Sequence, residues 1–227
     1  SATSVGTIDS VYQANTTAGF SIVTFTGNGS SGATVAHGLG AVPKTILIKS
    51  RNGTSKSWNV YHSSIDATDA AQLDTTAAFY DSASYWNDTE PTSTVFSLGN
   101  SSETNESGKN FVVYCFAEIQ GYSKFGSYVG NGDDNGPFVY TGFKPAWVLY
   151  KRSSDTGNWR ILDKERNTFN PINNEIYADL ANAEAQDTQM DFLSNGFKLR
   201  NGSSVGQNGN NSTYIYWAFA EHPFVSS

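Results

Sequence analysis

Cysteine is nearly absent from this chain of 227 residues. Cys115 stands alone, so no disulfide can close within the chain. Inside the apolar run Phe111-Val112-Val113-Tyr114-Cys115-Phe116 the thiol reads as a small buried hydrophobe. Basic residues are also scarce, 14 Lys and Arg against 21 Asp and Glu, for a formal net charge of -7. Without a basic stripe the chain lacks the means to bind nucleic acid or to hold an anionic membrane. No apolar run approaches the length of about 18 residues that a membrane-spanning helix needs. The start Ser1-Ala2-Thr3-Ser4 has neither an initiator Met nor a cleavable leader, so the chain reads as a piece of a longer polypeptide. His37, His62 and His222 show no close metal-ligand spacing. No Gly-x-Ser-x-Gly elbow, P-loop or Cys-His arrangement appears, so the chain is expected to carry no catalytic residues. A polysaccharide-degrading enzyme stays open as an alternative, because a fold can assemble paired carboxylates that no motif announces.

What the chain has is a duplication. Phe25-Thr26-Gly27-Asn28-Gly29 returns as Tyr128-Val129-Gly130-Asn131-Gly132, and the run from Gly40 to Lys49 returns from Gly142 to Lys151. Trp58-Asn59-Val60-Tyr61 meets Trp159-Arg160-Ile161-Leu162, and Val113 to Glu118 meets Tyr216 to Glu221. The offsets are 103, 102, 101 and 103 positions, a register that one unit copied whole preserves. This sets a polar lead or edge strand over 1–18, a first repeat over 19–120 and a second over 121–227.

Within the first repeat, short runs rich in Val, Ile, Phe, Tyr and Thr predict strands at Phe20 to Thr26, Thr34 to His37, Lys44 to Ser50, Trp58 to His62, Ser93 to Leu98 and Phe111 to Ile119. Gly27-Asn28-Gly29, Asn52-Gly53, Asn131-Gly132 and Asn195-Gly196 supply residues that tolerate positive φ, as tight hairpins require. The fold class is therefore all-β, two tandem antiparallel β-sandwich units. A short helix or a structured loop fits two excursions equally well, Ser64 to Asp74 and Glu175 to Ala185, the latter with apolar Ile176, Leu180 and Ala183 at spacings of four and three. Asn-x-Ser/Thr triplets such as Asn28, Asn105 and Asn201 read as turn chemistry, with glycosylation the alternative.

The repeat also sorts residues by role. Trp58 and Trp159 recur and read as core or inter-sheet packing. Lys49 with Lys151, and Glu118 with Glu221, recur at strand ends; a cross-strand ion pair in each copy is expected, a catalytic or ligand-binding pair the alternative. By contrast, Tyr80, Tyr85, Trp86 and Asp88 fall in a stretch whose counterpart, Ala181 to Asp187, has no aromatic. Flat rings among short polar side chains suit a sugar, so these four are the candidate ligand-binding residues; covering a sandwich edge is the alternative. Asp133 and Asp134 lie in the Gly-rich turn Gly130 to Gly136 and are candidate Ca²⁺ ligands, though the spacing is not that of an EF-hand and a solvated turn is preferred. No other cofactor is expected.

Several stretches carry a family resemblance: Ala36-His37-Gly38-Leu39-Gly40-Ala41-Val42-Pro43-Lys44, Tyr85-Trp86-Asn87-Asp88-Thr89, Tyr114-Cys115-Phe116-Ala117-Glu118, Gly121-Tyr122-Ser123-Lys124-Phe125-Gly126 and Asp191-Phe192-Leu193-Ser194-Asn195-Gly196-Phe197-Lys198. From about Gly19 to Phe224 the chain resembles a module of tail-fibre and virion-surface proteins of marine and cyanobacterial tailed phages, often placed after a concanavalin-like lectin domain. The resemblance implies a structural protein on the virion surface, homo-oligomeric with a trimer as the candidate state, serving attachment to a host-surface polysaccharide or contact with other virion subunits. A purely architectural, capsid- or fibre-decorating role is the alternative. It assigns no catalytic residue.

Overall fold

The computed structural model describes residues 2–186 and 189–223; Ser1, Asp187 and Phe224, which bound stretches named above, lie outside them. The chain is almost entirely β, with 42% of residues in strands and 4% in helix. It divides into two compact units, Ser1–Leu73 with Phe79–Glu118, and Asp74–Ala78 with Ile119–Ser227.

The first unit holds β1 (Ala2–Thr3), β2 (Ser10–Asn15), β3 (Phe20–Thr26), β4 (Ala33–Ala36), β5 (Thr45–Ser50), β6 (Asn59–His62), β7 (Asp69–Gln72), β8 (Tyr80–Asp81), helix α1 (Ala83–Trp86), β9 (Val95–Leu98) and β10 (Asn110–Phe116). One antiparallel sheet runs β1-β2-β3-β10-β5-β6-β7-β8, and a small sheet pairs β4 with β9. The core forms because alternate residues of each strand share a face. Phe111, Val113 and Cys115 of β10 turn inward with Val23, Phe25, Ile46 and Ile48 to meet Val35, Phe96 and Leu98 of the small sheet. Burying each such side chain contributes about 1.5–3 kcal/mol before conformational entropy is counted.

The second unit holds β11 (Ser123–Val129), β12 (Phe138–Tyr140), β13 (Pro145–Arg152), β14 (Arg160–Asp163), β15 (Glu175–Tyr177), β16 (Met190–Leu193), β17 (Gly196–Leu199), α2 (Val205–Asn208) and β18 (Thr213–Ala220). Its sheets run β11-β18-β13-β14-β15 and β12-β17-β16. The first order is that of β3-β10-β5-β6-β7, strand for strand. Side chains repeat with it: Phe25 stacks on Phe111 at 5.1 Å and 12°, and their counterparts Tyr128 and Tyr214 stack at 4.9 Å and 10°.

A second recurring device pins the Gly-Asn-Gly corner. This corner does not join hairpin partners, as the sequence suggested, but carries the chain from the large sheet to the small one. Asn105, fully buried, donates from Nδ2 to Gly99 O at 2.9 Å and Ser30 O at 3.0 Å and accepts from Asn28 N at 3.0 Å. Asn208 likewise accepts from Asn131 N at 2.9 Å and donates to Asp133 O at 2.8 Å. The glycines are needed because a Cβ on Gly27 would stand 2.4 Å from Glu106 O, and one on Gly130 2.4 Å from Gly209 O. Asn105 is thus an interior staple, closed to glycosylation in the folded chain.

The helical readings change. Neither excursion is helical: Asp69–Gln72 is strand β7 and Glu175–Tyr177 is strand β15. In the second case the ladder Ile161↔Ile176 and the buried Arg160–Glu175 ion pair at 2.7 Å outweigh a helix-like spacing. The helices that do form are single turns at 83–86 and 205–208. Trp58 and Trp159 lie on the opposite sheet face from the inter-sheet core, stacked on Tyr114 at 5.7 Å and on Trp217 at 5.2 Å. Within the lead over 1–18, for which a linker or an edge strand was expected, residues 10–15 form β2, paired with β3.

Candidate functional site

The stretch that drew attention in the sequence turns inward. Tyr85 and Trp86 occupy α1 and are 8% and 2% exposed, with Trp86 edge-on to Tyr61 at 5.9 Å. Their ring faces are spent on the core, so they cannot stack on a sugar. Tyr80 stays exposed, its hydroxyl donating to that of Tyr85 at 2.8 Å, and Asp88 is exposed in a left-handed turn at φ 47°. Without the two rings the four residues form no binding surface.

The Gly-rich turn is likewise occupied with its own backbone. Asp133 Oδ1 accepts from Asn135 N at 2.7 Å and Asp134 Oδ1 from Gly202 N at 2.9 Å. Among the described residues no group of three or more His, Cys, Asp or Glu could hold a metal. His37 and His62 are buried; burial pushes the His37 imidazole below its usual range, and its Nδ1 accepts from Leu39 N.

The recurring lysines are clamps rather than members of an ion pair with the recurring glutamates. Lys49 Nζ lies 5.6 Å over the Trp58 ring and donates to Lys56 O at 2.7 Å. Lys151 Nζ lies 5.4 Å over Trp159 and donates to Gly157 O at 2.5 Å. A cation over an indole face whose N–H groups donate to carbonyls is a stable arrangement. Burial lowers Lys151 to about 8, partly offset by the Asp179 charge.

Glu221 is engaged elsewhere, and there the second unit departs from the first. Lys144, just before β13, and Lys164, just after β14, each place Nζ 2.8 Å from a Glu221 oxygen, just after β18. These positions sit at one end of three neighbouring strands, which is why they converge. The first copy keeps the glutamate, Glu118, but has Val42 and Ser63 where the second has the two lysines. Hydrogen bonds from Lys144 and Lys164 hold the Glu221 carboxyl down to about 2. It is therefore an ionised acceptor at any ordinary pH and no proton donor.

These three residues form one wall of a 370 Å³ cleft with an apolar floor, Ile172 and Phe192. The loop over residues 164–174, which supplies much of this lining, is longer than its counterpart over 63–68. At its tip Phe169 is 83% exposed. Exposure on that scale normally goes with a loosely held tip, yet side chains fasten this one. Asn170 donates to Phe192 O at 3.1 Å and accepts from Phe192 N at 2.9 Å, while Asn167 Oδ1 accepts from Asn173 N and Asn174 N at 2.9 and 2.6 Å. The result is a flat apolar ring held out to solvent beside paired charges. The same unit exposes Phe138 and Tyr140 on β12, 45% and 64%, where the first copy has Thr34 and Ala36.

Sequence reasoning missed this site. The signal was present, because Phe169, Phe138 and Tyr140 are all unmatched between copies. Comparison with known proteins brings one match of the whole chain: the family described as a domain of unknown function (DUF7483) matches residues 1–223. No curated protein and no solved structure matches.

Proposed function

The chain belongs to the DUF7483 family, a domain of unknown function, and from that premise we propose that it is a non-enzymatic attachment module that binds a surface polysaccharide through the cleft of its second unit. The observation that carries this reading is Phe169, an aromatic ring 83% exposed on a loop pinned by two asparagines, over a cleft of paired charges. A sugar ring stacks its C–H face on such a ring, while ammonium and carboxylate groups take its hydroxyls. Because the geometry is held before binding, little ordering cost remains for the ligand to offset. The phage resemblance supports a setting for such a module on a virion surface, in a homo-oligomeric fibre, facing a bacterial envelope.

The test is retention of the chain on host cells and on their isolated envelope polysaccharide, wild type against Phe169→Ala. The reading requires binding that falls at least about tenfold in the variant, or about 1.4 kcal/mol. Equal binding by both would refute it. Release of reducing ends from the polymer would instead revive the depolymerase alternative.

One observation favours an architectural second reading. Strand β4 of the first unit is covered along its edge by the lead, with Thr7 N and Ile8 N donating to Thr34 O at 3.1 and 3.0 Å. Its counterpart β12 is the end strand of its sheet among the described residues and bears Phe138 and Tyr140. An exposed edge with aromatic side chains is a template for pairing with another chain. Light scattering of wild type and Tyr140→Lys separates the readings: a subunit contact predicts an oligomer that the substitution dissolves.

A further inference from the structure

Resting on the attachment reading, we infer that the Phe169 cleft takes an uncharged sugar of the polysaccharide, and discriminates against acidic and amino sugars. The charged residues lining the cleft are Lys144, Lys164, Glu165 and Glu221, two of each sign. Every one of them has an opposite partner within the cleft: Lys144 Nζ to Glu221 Oε2 at 2.8 Å, Lys164 Nζ to Glu221 Oε1 at 2.8 Å, and Lys164 Nζ to Glu165 Oε1 at 3.2 Å. The cleft therefore offers an incoming ligand no uncompensated charge.

That balance has consequences for each class of ligand. A sugar carboxylate must draw Lys144 or Lys164 away from Glu221, exchanging one partly exposed ion pair for another with no net gain in pairing. An ammonium meets two lysines across the same carboxylate. A hydroxyl, by contrast, is both donor and acceptor. It can accept from an ammonium N–H left over from the ion pairs and donate to a carboxylate lone pair, leaving the Lys-Glu-Lys bridge in place. The ring it belongs to then has Phe169 for its C–H face. The cleft's 370 Å³ is near the lower end of the range for ligand pockets, about 300–1,000 Å³, so it holds a short segment of a chain and leaves the rest in solvent.

The lysines are absent from the first copy, where Val42 and Ser63 stand in their places beside the conserved partner position Glu118. The second copy therefore has these donors without a net positive site, because Glu165 stands where the first copy has Ser64. Charge compensation is thus part of what distinguishes this cleft.

Affinity electrophoresis of the intact chain through gels containing dextran, mannan or galactan, or else alginate, hyaluronate or chitosan, tests the inference. It is run in parallel with retention on host envelope polysaccharide. The expected result is retardation by at least one neutral polymer, weakened at least about tenfold in Phe169→Ala and unchanged up to about 1 M salt, where the Debye length is about 3 Å. Because Phe169 is exposed, its variant keeps the wild-type circular dichroism spectrum. Retardation by an acidic or cationic polymer alone, lost as salt rises, overturns the inference and leaves the attachment reading standing. No retardation by any polymer together with host-polysaccharide binding also overturns it, and no binding to either overturns both.

Discussion

Replacing the buried asparagines that fasten the two Gly-Asn-Gly corners should destabilise the two units unequally. Asn105→Ala removes an acceptor for Asn28 N and a donor for Gly99 O and Ser30 O, all at 2.9–3.0 Å. Each such bond contributes about 0.5–1.5 kcal/mol net, and a buried polar group left without its partner costs about 1–3 kcal/mol. Gly99 is itself buried, so water cannot take the place of the amide, and the expected loss is about 3 kcal/mol. Asn208→Ala removes bonds to Asn131 and Asp133, which are exposed as Asn28 and Ser30 are, and it has no bond matching the one to buried Gly99. Water replaces part of what is lost there, and about 1–2 kcal/mol is expected. Native-state hydrogen exchange reads each unit separately: the most protected amides of β3 and β10 should lose about 3 kcal/mol in Asn105→Ala. In Asn208→Ala those of β11 and β18 should lose about half that. A loss below about 0.5 kcal/mol in Asn105→Ala, the range of an ordinary surface substitution, would refute the staple.

Three further outcomes follow from the same structure. Trp159→Ala should cost about 3–5 kcal/mol by urea titration and Trp58→Ala clearly less, because Trp159 is fully buried and Trp58 only half-buried; equal losses would contradict the packing described. Glu221, held down to about 2 against an unfolded value of about 4.3, binds fewer protons folded than unfolded in that window. Its contribution, about 1 kcal/mol or less for a network this near the surface, should be complete above about pH 4.3 and disappear toward pH 2. Glu221→Gln should flatten that part of the stability profile. The double change Phe138→Thr, Tyr140→Ala, which installs the first copy's residues, should alter unfolding free energy by less than about 1 kcal/mol, since both rings are exposed.

The legible part of the sequence was the part written in local pattern. Strand β3 ends where the alternation of Phe20 to Thr26 ends, and the other five strands proposed for the first repeat appear with shifts at their ends. Duplication was legible because matched residues fill matched places, down to the stacked pairs Phe25–Phe111 and Tyr128–Tyr214. What escaped depends on partners far along the chain. Asn105 looks like any turn asparagine until Asn28, 77 residues away, is placed beside it. Tyr85 and Trp86, set among Asp, Ser and Asn, looked like a loop surface, but a single helical turn points both rings into the core. Phe169 went unremarked for the opposite reason. A lone Phe is usually interior, and only the side chains of Asn167 and Asn170 show that its loop is built to hold it out.

The central claim, that recognition belongs to unmatched residues of the second copy, is tested most directly by mapping amide and side-chain NMR shifts while envelope polysaccharide is added to the intact chain. Shifts concentrated at Phe169, Asn170, Lys144 and Lys164 are predicted. Shifts concentrated instead at matched positions such as Trp58 and Lys49, or at Tyr80 and Asp88 in the first unit, would contradict it.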